Sequence, residues 1–329
     1  MKIGFAVNQM LKEEVNFTTT GLALKAKEMG HDVYYVGMSD FAYTQDERMG
    51  IHARRAPDMN YSGSNELFLD TVKNEPKVLV DSSELDVLFL RNDPSNDAKN
   101  RPWAQNAGVV FGQLAKKQGV LVLNNPDALA NALNKMYFQY FPKEVRPETI
   151  ITQNIDDIKA FYEAFDRKII LKPLQGSGGK NVFLINEEQK NLNQIVDAIA
   201  QDGFIIAQEY LPAAQDGDIR LFLLDGEPIV VDGKVAAIHR VNAKNDIRSN
   251  IHQGGHAQLA TITPKMYEMI EMIKPKLIED GMFLTGLDIV GDKLMEINIF
   301  SPGGVGSASE LNKVDFFSPI IQAIERKLN

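Results

Sequence analysis

Apolar residues gather along the chain in runs short enough for strands, divided by stretches with helical spacing. Lys2 to Val7 reads as a buried strand, Thr18 to Met29 has a helical period with Gly30 as its stop, and Asp32 to Val36 returns as a strand. This βαβ opening implies a parallel sheet. The run Val87 to Leu90 ends at Arg91-Asn92-Asp93-Pro94, and Trp103 to Gln118 reads as a helix leading to a strand over Val120 to Leu123. Together these elements predict a doubly wound first lobe. Asn124-Asn125-Pro126 then punctuates the chain, placing a boundary near residue 124 with a helix over Asp127 to Tyr140 beyond it.

The pattern changes after that point. Short strands are expected at Lys168 to Lys172, Val182 to Ile185, Ile205 to Glu209, Ile219 to Leu224 and Glu227 to Val231, mixed with two helices, which is an α+β signature. A helix over Lys265 to Glu279 is stopped by Asp280-Gly281, and a strand over Thr285 to Val290 turns through Gly291-Asp292 into Leu294 to Phe300. No internal repeat or low-complexity tract interrupts this order.

The 329 residues exceed one ordinary core, so two or three packed units are expected, and a 44% hydrophobic, 24% charged composition is that of a globular chain. A formal charge of -9, with no basic cluster longer than pairs such as Arg54-Arg55 and Lys116-Lys117, gives no attraction for nucleic acid or anionic lipid. The absence of cysteine excludes a disulfide framework, a thiolate metal site and a cysteine nucleophile. The apolar start stops at Asn8 without a cleavage signal, and no apolar run approaches the about 20 residues that span a bilayer. A cytoplasmic location is therefore expected.

Candidate chemistry lies in two places. Lys172-Pro173-Leu174-Gln175-Gly176-Ser177-Gly178-Gly179-Lys180 sets a lysine at a strand end with glycines just after it, which lets backbone N–H groups approach a polyphosphate. The order is not that of a Walker loop, and the glycines alone fit a flexible hairpin turn equally well. The second place is Gly286-Leu287-Asp288 followed by Met295-Glu296-Ile297-Asn298. Residues two apart on a strand share a face, so Glu296 and Asn298 point the same way, and pairing across the turn can add Asp288. Two carboxylates and an amide oxygen suit Mg²⁺; the alternative is an exposed polar hairpin, but Asp288 lies among Leu287, Ile289 and Val290, where an unpaired charge is costly.

A lysine strand, a glycine loop and a late Asp…Glu-x-Asn set resemble the ATP-grasp ligases, and the ordered blocks resemble bacterial glutathione synthetases more finely. The blocks are Arg91-Asn92-Asp93-Pro94, Asn134-Lys135, Ile170-Leu171-Lys172-Pro173-Leu174, Ala207-Gln208-Glu209-Tyr210-Leu211-Pro212, Asp216-Gly217-Asp218-Ile219-Arg220, Asp225-Gly226-Glu227-Pro228, Gly286-Leu287-Asp288 and Glu296-Ile297-Asn298. The resemblance implies an ATP-grasp fold of two α+β lobes after the first one: 1–124 as a Rossmann-like substrate domain, 125–204 as a lobe with a glycine-rich flap, and 205–329 as a lobe with metal and substrate residues. It implies Lys135 and Lys172 on the ATP phosphates, Gly176, Ser177, Gly178 and Gly179 as the flap, and Gln208, Glu209, Tyr210 and Leu211 as the adenine hinge.

Asp218 and Arg220 resemble substrate-binding residues, although an Asp-x-Arg is also an ordinary surface ion pair. Arg240 and Arg248 match an arginine pair that holds substrate carboxylate and the transferring phosphoryl group, a task suited to planar guanidinium. His239 and His252 nearby read as solvated loop residues. Asp288, Glu296 and Asn298 resemble the ligands of two Mg²⁺ ions, with Mn²⁺ also compatible. The implied activity is ATP-dependent joining of a γ-glutamyl peptide to an amino acid by a homodimer or homotetramer. After Asn298 the family carries Ser-Pro-Thr and an arginine, whereas this chain has Ile299-Phe300-Ser301-Pro302-Gly303-Gly304-Val305 and no arginine until Arg326. Backbone N–H groups near Ser301, Gly303 and Gly304 are the alternative anchor for a carboxylate. A ligase with another substrate pair and a non-catalytic ATP-binding regulator are the competing readings.

Overall fold

The computed structural model describes residues 1–176, 181–188, 191–241 and 256–329. Ser177, Gly178 and Gly179 of the expected flap, and Arg248 and His252, lie outside the described residues.

The first sheet holds β1 (Lys2–Val7), β2 (Asp32–Gly37), β3 (Phe41–Tyr43), β4 (Met49–Arg55), β5 (Lys77–Asp81), β6 (Val87–Leu90) and β7 (Leu121–Leu123). The expected parallel order holds across β2-β1-β6-β7, while β3, β4 and β5 add an antiparallel edge from residues whose pattern gave no strand signal. Its helices are α1 (Thr18–Glu28), α2 (Asn65–Asn74), α3 (Pro94–Asp97) and α4 (Ala107–Lys117). A parallel sheet needs cover on both faces, which explains why its strands are apolar throughout. Ile3, Phe5, Val87 and Phe89 pack with Leu22 of α1 and Phe68 of α2, and Ala6, Leu88 and Leu90 pack on the other side with Val109 and Ala115 of α4.

The helix expected over Asp127 to Tyr140 is instead α5 (Pro126–Ala130) followed by a 3-10 turn over Lys135–Tyr140. The break has a local and a distant cause. The Asn134 side chain caps the new turn by accepting from Met136 N at 2.9 Å, and Lys135 N donates to Leu174 O at 3.1 Å. Likewise Trp103 to Gln118 divides into a 3-10 turn over Pro102–Ala104 and α4.

The second sheet is antiparallel, in the order β10 (Phe183–Ile185), β9 (Ile169–Pro173), β11 (Ile205–Glu209), β8 (Thr149–Thr152), backed by α6 (Ile155–Ala164) and α7 (Leu192–Ala200). Strand β11 begins at Ile205, where the sequence pattern opens a third segment, and it pairs with β8 and β9. Ile158, Phe161, Ile169, Leu171, Ile185, Val196, Ile199 and Ile205 form a core made only from this part of the chain.

The third sheet contains β12 (Asp218–Leu224), β13 (Glu227–Pro228), β16 (Ala237–Val241), β17 (His256–Leu259), β18 (Leu284–Val290) and β19 (Lys293–Asn298), with the small hairpin β14 (Val230–Val231) and β15 (Lys234–Val235) beside it. The strand expected over Glu227 to Val231 is thus split. Ile229 is the cause, because its N–H donates to Phe222 O and its carbonyl accepts from Ala236 N. Helices α8 (Pro264–Glu279), α9 (Val305–Asn312) and α10 (Phe317–Leu328) complete the chain. The cores of the first and third sheets are continuous: Leu287 and Leu294 join the cluster holding Leu88, and Phe222 and Ile320 the one holding Phe5.

One buried acid in the first lobe makes stability depend on pH. Glu13, just before α1, is buried, and burial lifts its carboxyl to about 7 against the opposing pull of Arg91 and Lys73. A raised acid contributes stability fully below its ordinary value of 4.5 and loses it as pH rises through the folded value. Between pH 4.5 and pH 8.5 the protein is expected to lose roughly 3 kcal/mol through this group, and Glu13→Gln to abolish that loss. Parallel denaturation-against-pH curves for the two proteins would refute the assignment.

Candidate active site

The acidic hairpin is built by its turn. Gly291 takes φ of +57°, a left-handed conformation that glycine adopts without strain, and this closes β18 onto β19. The resulting register sets Asp288 opposite Glu296 and Gly286 opposite Asn298, with an irregularity just after Asp288. Directly opposed residues share a face, so both carboxylates and the amide lie together. The Asn298 Nδ2 donates to Asp288 Oδ2 at 3.3 Å.

Facing Glu296 are two lysines from separate parts of the chain. Lys135 Nζ is 3.6 Å from Glu296 Oε1 and donates to the carbonyl of Gly176. Lys172, on β9, donates to Gln208 Oε1 at 3.0 Å, and Gln208 in turn donates to Thr149 Oγ1 at 3.0 Å. Burial pulls the Lys172 ammonium down to about 8; Glu296 opposes the fall and Lys135 adds to it. Such a lysine gains from any anion that arrives beside it.

Lys135, Lys172, Gly176, Gln208, Glu296, Asn298 and Ser301 all line one open cleft. Apolar wall comes from Leu133, Phe138, Leu174, Ile206 and Met295. Glu209, Tyr210 and Leu211 are not among the cleft-lining residues; Tyr210 instead lies under Lys168, whose Nζ is 4.1 Å from the ring centroid. Asp93, Ser95, Asn134 and Tyr137 also line the cleft, and sequence reasoning gave none of them a role. Asp93, Asn134 and Tyr137 were signalled only by membership of the ordered blocks or of a helix expected to run straight through, and Ser95 by nothing.

Asp218, Arg220, Arg240 and Asp288 form a buried cluster beside the cleft, joined to it through Asn298. Cross-strand register sets Asp218 opposite Arg240 and Arg220 opposite Asp288. Arg240 Nε donates to Asp218 Oδ1 at 2.7 Å, and its Nη2 reaches Asp288 Oδ2 at 2.8 Å. Arg220 grips Asp288 with Nε and with Nη2, the latter at 2.7 Å. Burial works against the Asp288 charge, but Arg220 and Arg240 outweigh it and hold the carboxyl at about 2. Asp-x-Arg is therefore no surface pair: its two residues each take a partner from a neighbouring strand.

The glycine loop after the hairpin is partly engaged. Arg91 Nη2 donates to Pro302 O at 3.0 Å and Arg220 Nη1 to Gly303 O at 3.1 Å. Gly304 N and Val305 N donate to Thr18 Oγ1 at 3.1 and 3.3 Å, so of the expected carboxylate nest the Gly304 amide already has an acceptor.

The donor set fits a hard divalent cation. Glu296 and Asn298 face the cleft, offering a carboxylate and an amide oxygen, while Asp288 behind them has both oxygens on Arg220 and Arg240. Magnesium suits such a set, binding through one or two carboxylates and leaving its other positions to water and phosphate.

A parallel-sheet lobe followed by two lobes that close on a nucleotide cleft is the architecture of the ATP-grasp ligases, enzymes that use ATP to form a peptide-type bond, and this chain is one of them. Among solved structures it is similar to D-cycloserine synthetase DcsG, with a TM-score of 0.67 at 14% identity over 99% of this chain and 100% of that one. It is likewise similar to D-alanyl-alanine synthetase A from Vibrio cholerae, with a TM-score of 0.61 at 12% identity over 99% and 98%. Both likenesses concern the fold. The family models named prokaryotic glutathione synthetase, N-terminal domain, and prokaryotic glutathione synthetase, ATP-grasp domain, match residues 1–130 and 134–313, and the chain belongs to that family. Its similarity to the glutathione synthetase of Shewanella oneidensis is 31% identity over 100% of this chain and 99% of the relative. For the glutathione synthetase of Escherichia coli K12 it is 30% over the same shares. No helix among the described residues is long and apolar enough to cross a membrane.

Proposed function

We propose that this ligase joins a γ-glutamyl peptide to an amino acid, with γ-glutamylcysteine and glycine as the favoured pair, through an acyl phosphate. The observation that supports the reading is the shared cleft: lysines from two segments face the acidic hairpin across one open space. A carboxylate is a poor electrophile at neutral pH. One of its oxygens attacks the γ-phosphorus of ATP and the bond to ADP breaks; the amine then attacks the acyl carbon, phosphate leaves with the C–O bond, and the amine loses a proton.

Lys135 and Lys172 neutralise the phosphates, and Gln208 fixes the Lys172 ammonium in place. Arg240, together with Arg248 outside the described residues, would receive the substrate carboxylate and the developing phosphoryl charge, and Asp218 and Arg220 would bind substrate beside them. Asp288, Glu296 and Asn298 would hold magnesium, in one or two ions, with manganese as a substitute. When bound, the metal supplies neutralisation of phosphate charge. Both Asp288 oxygens are held by Arg220 and Arg240, so Asp288 would join such a metal only on release from them.

The test is phosphate release with ATP, Mg²⁺ and a matrix of γ-glutamyl peptides against amino acids. Preference for γ-glutamylcysteine with glycine supports the named pair. A clear preference for another pair moves the substrate, an outcome favoured by the Thr18-bound amides of Gly304 and Val305, which cannot bind a carboxylate without a change of partner. No turnover with any pair overturns the ligase mechanism.

Lys172 gives a second expected result. With its ammonium near 8 in the free protein, nucleotide binding at pH 8 should take up about half a proton. Calorimetry in buffers of different ionisation heat measures this, and Lys172→Met should remove the uptake. Equal uptake in both proteins would assign it elsewhere.

A further inference from the structure

The ladder between β18 and β19 ends at the Gly286–Asn298 pair, yet the two chains must stay together beyond it, because Asn298 is the last residue before the strand leaves the sheet. What holds them is not part of either strand. Asn124, 1% exposed at the end of β7, places its amide between them. Its Nδ2 donates to Leu284 O at 3.1 Å and also to Ile299 O, the residue directly after Asn298. Its Oδ1 accepts from Phe283 N at 2.8 Å and from Leu284 N at 2.9 Å. Next to it, Asn125 N donates to Gly281 O at 3.2 Å.

One side chain therefore satisfies four buried backbone groups at the open end of the hairpin and anchors that end to the first lobe. Asparagine is the side chain of this size that offers two donors and an acceptor together. Aspartate has no donor, and its charge would face two carbonyl oxygens.

We propose that Asn124 is a positioning residue for the cation site: it supplies the missing rung beyond Gly286–Asn298 and so sets where Asn298, Glu296 and Asp288 stand relative to the cleft. The proposal rests on the assignment of those three residues to a divalent cation. Residues that orient metal ligands from behind typically change metal affinity 10–100-fold when altered.

The experiment measures Mn²⁺ binding to the ADP-loaded protein by electron paramagnetic resonance, together with the Mg²⁺ concentration for half-maximal turnover and the melting temperature. Two variants are used. Asn124→Asp keeps the acceptor and removes the donors; Asn124→Gln keeps both and displaces them by one methylene, which covers the case in which the aspartate variant does not fold. Val72→Ala, a core truncation in α2 remote from the hairpin, serves as the stability control.

The expected result is a tenfold or greater weakening of Mn²⁺ binding in the Asn124 variants, a matching rise in the Mg²⁺ requirement, and less than threefold change in KM for the peptide and amino acid. Val72→Ala should lower the melting temperature and leave Mn²⁺ affinity unchanged. Asn124 variants that melt earlier but bind Mn²⁺ like the wild type would overturn the proposal. A wild-type protein whose ADP complex binds no Mn²⁺ would instead overturn the cation-site assignment beneath it.

Discussion

Glu296→Gln is expected to leave the fold intact and to lower turnover by roughly 10²–10³-fold, the scale of losing one preorganised charge from a reacting site. The change keeps the shape of the side chain. Glu296 is partly exposed at the cleft wall and, among the described residues, its ion pair is with Lys135 at 3.6 Å, so its loss should move stability by only about 0.5 kcal/mol. Circular dichroism melts and steady-state rates at several Mg²⁺ concentrations separate the two effects. Excess Mg²⁺ should restore part of the rate, since Asp288 and Asn298 remain. Turnover within threefold of wild type at low Mg²⁺ would remove Glu296 from the metal site.

Arg240→Met is expected to damage both stability and activity. Its guanidinium lies between Asp218 and Asp288, and without it two buried carboxylates face each other with Arg220 alone to balance them. Breaking one partner out of a buried ionic group costs about 3–5 kcal/mol, mainly from the charge left uncompensated. The cycle with Asp218→Asn isolates that term: the double variant should recover about 1–3 kcal/mol relative to the sum of the single changes. Arg240→Lys keeps the charge but not the planar fork and should rescue stability more than rate. A single variant with unchanged melting temperature, or strictly additive effects in the cycle, would show that the cluster is not coupled.

The parts of the fold visible in the sequence were those fixed by neighbours close in the chain. Strands β1, β6 and β11 run between the residues that their apolar runs predict, and α1 and α8 end where Gly30 and Asp280-Gly281 imply. The hairpin face was legible because a period of two and a tight turn determine it. The antiparallel edge β3-β4-β5 was not, since its short strands depend on pairing with β2 and with one another. The helix expected over Asp127 to Tyr140 failed through a long-range contact, Lys135 N to Leu174 O, that no local period records. The site shows the same division. Lys172, Glu296 and Asn298 carried their own chemistry in sequence. The partners of Asp218 and Arg220 did not, because which strand lies beside β12 is a property of topology.

The second sheet keeps its apolar side chains to itself, while the first and third share theirs. A body with a private interior can tilt without tearing anyone else's packing, so the jaw bearing Lys172 and Gln208 is cheap to swing. The counterpart of that freedom is that among the described residues no apolar core is shared across the jaw: a triphosphate touching both sides would itself be the latch, and transfer of its terminal phosphoryl group would loosen it for product to leave.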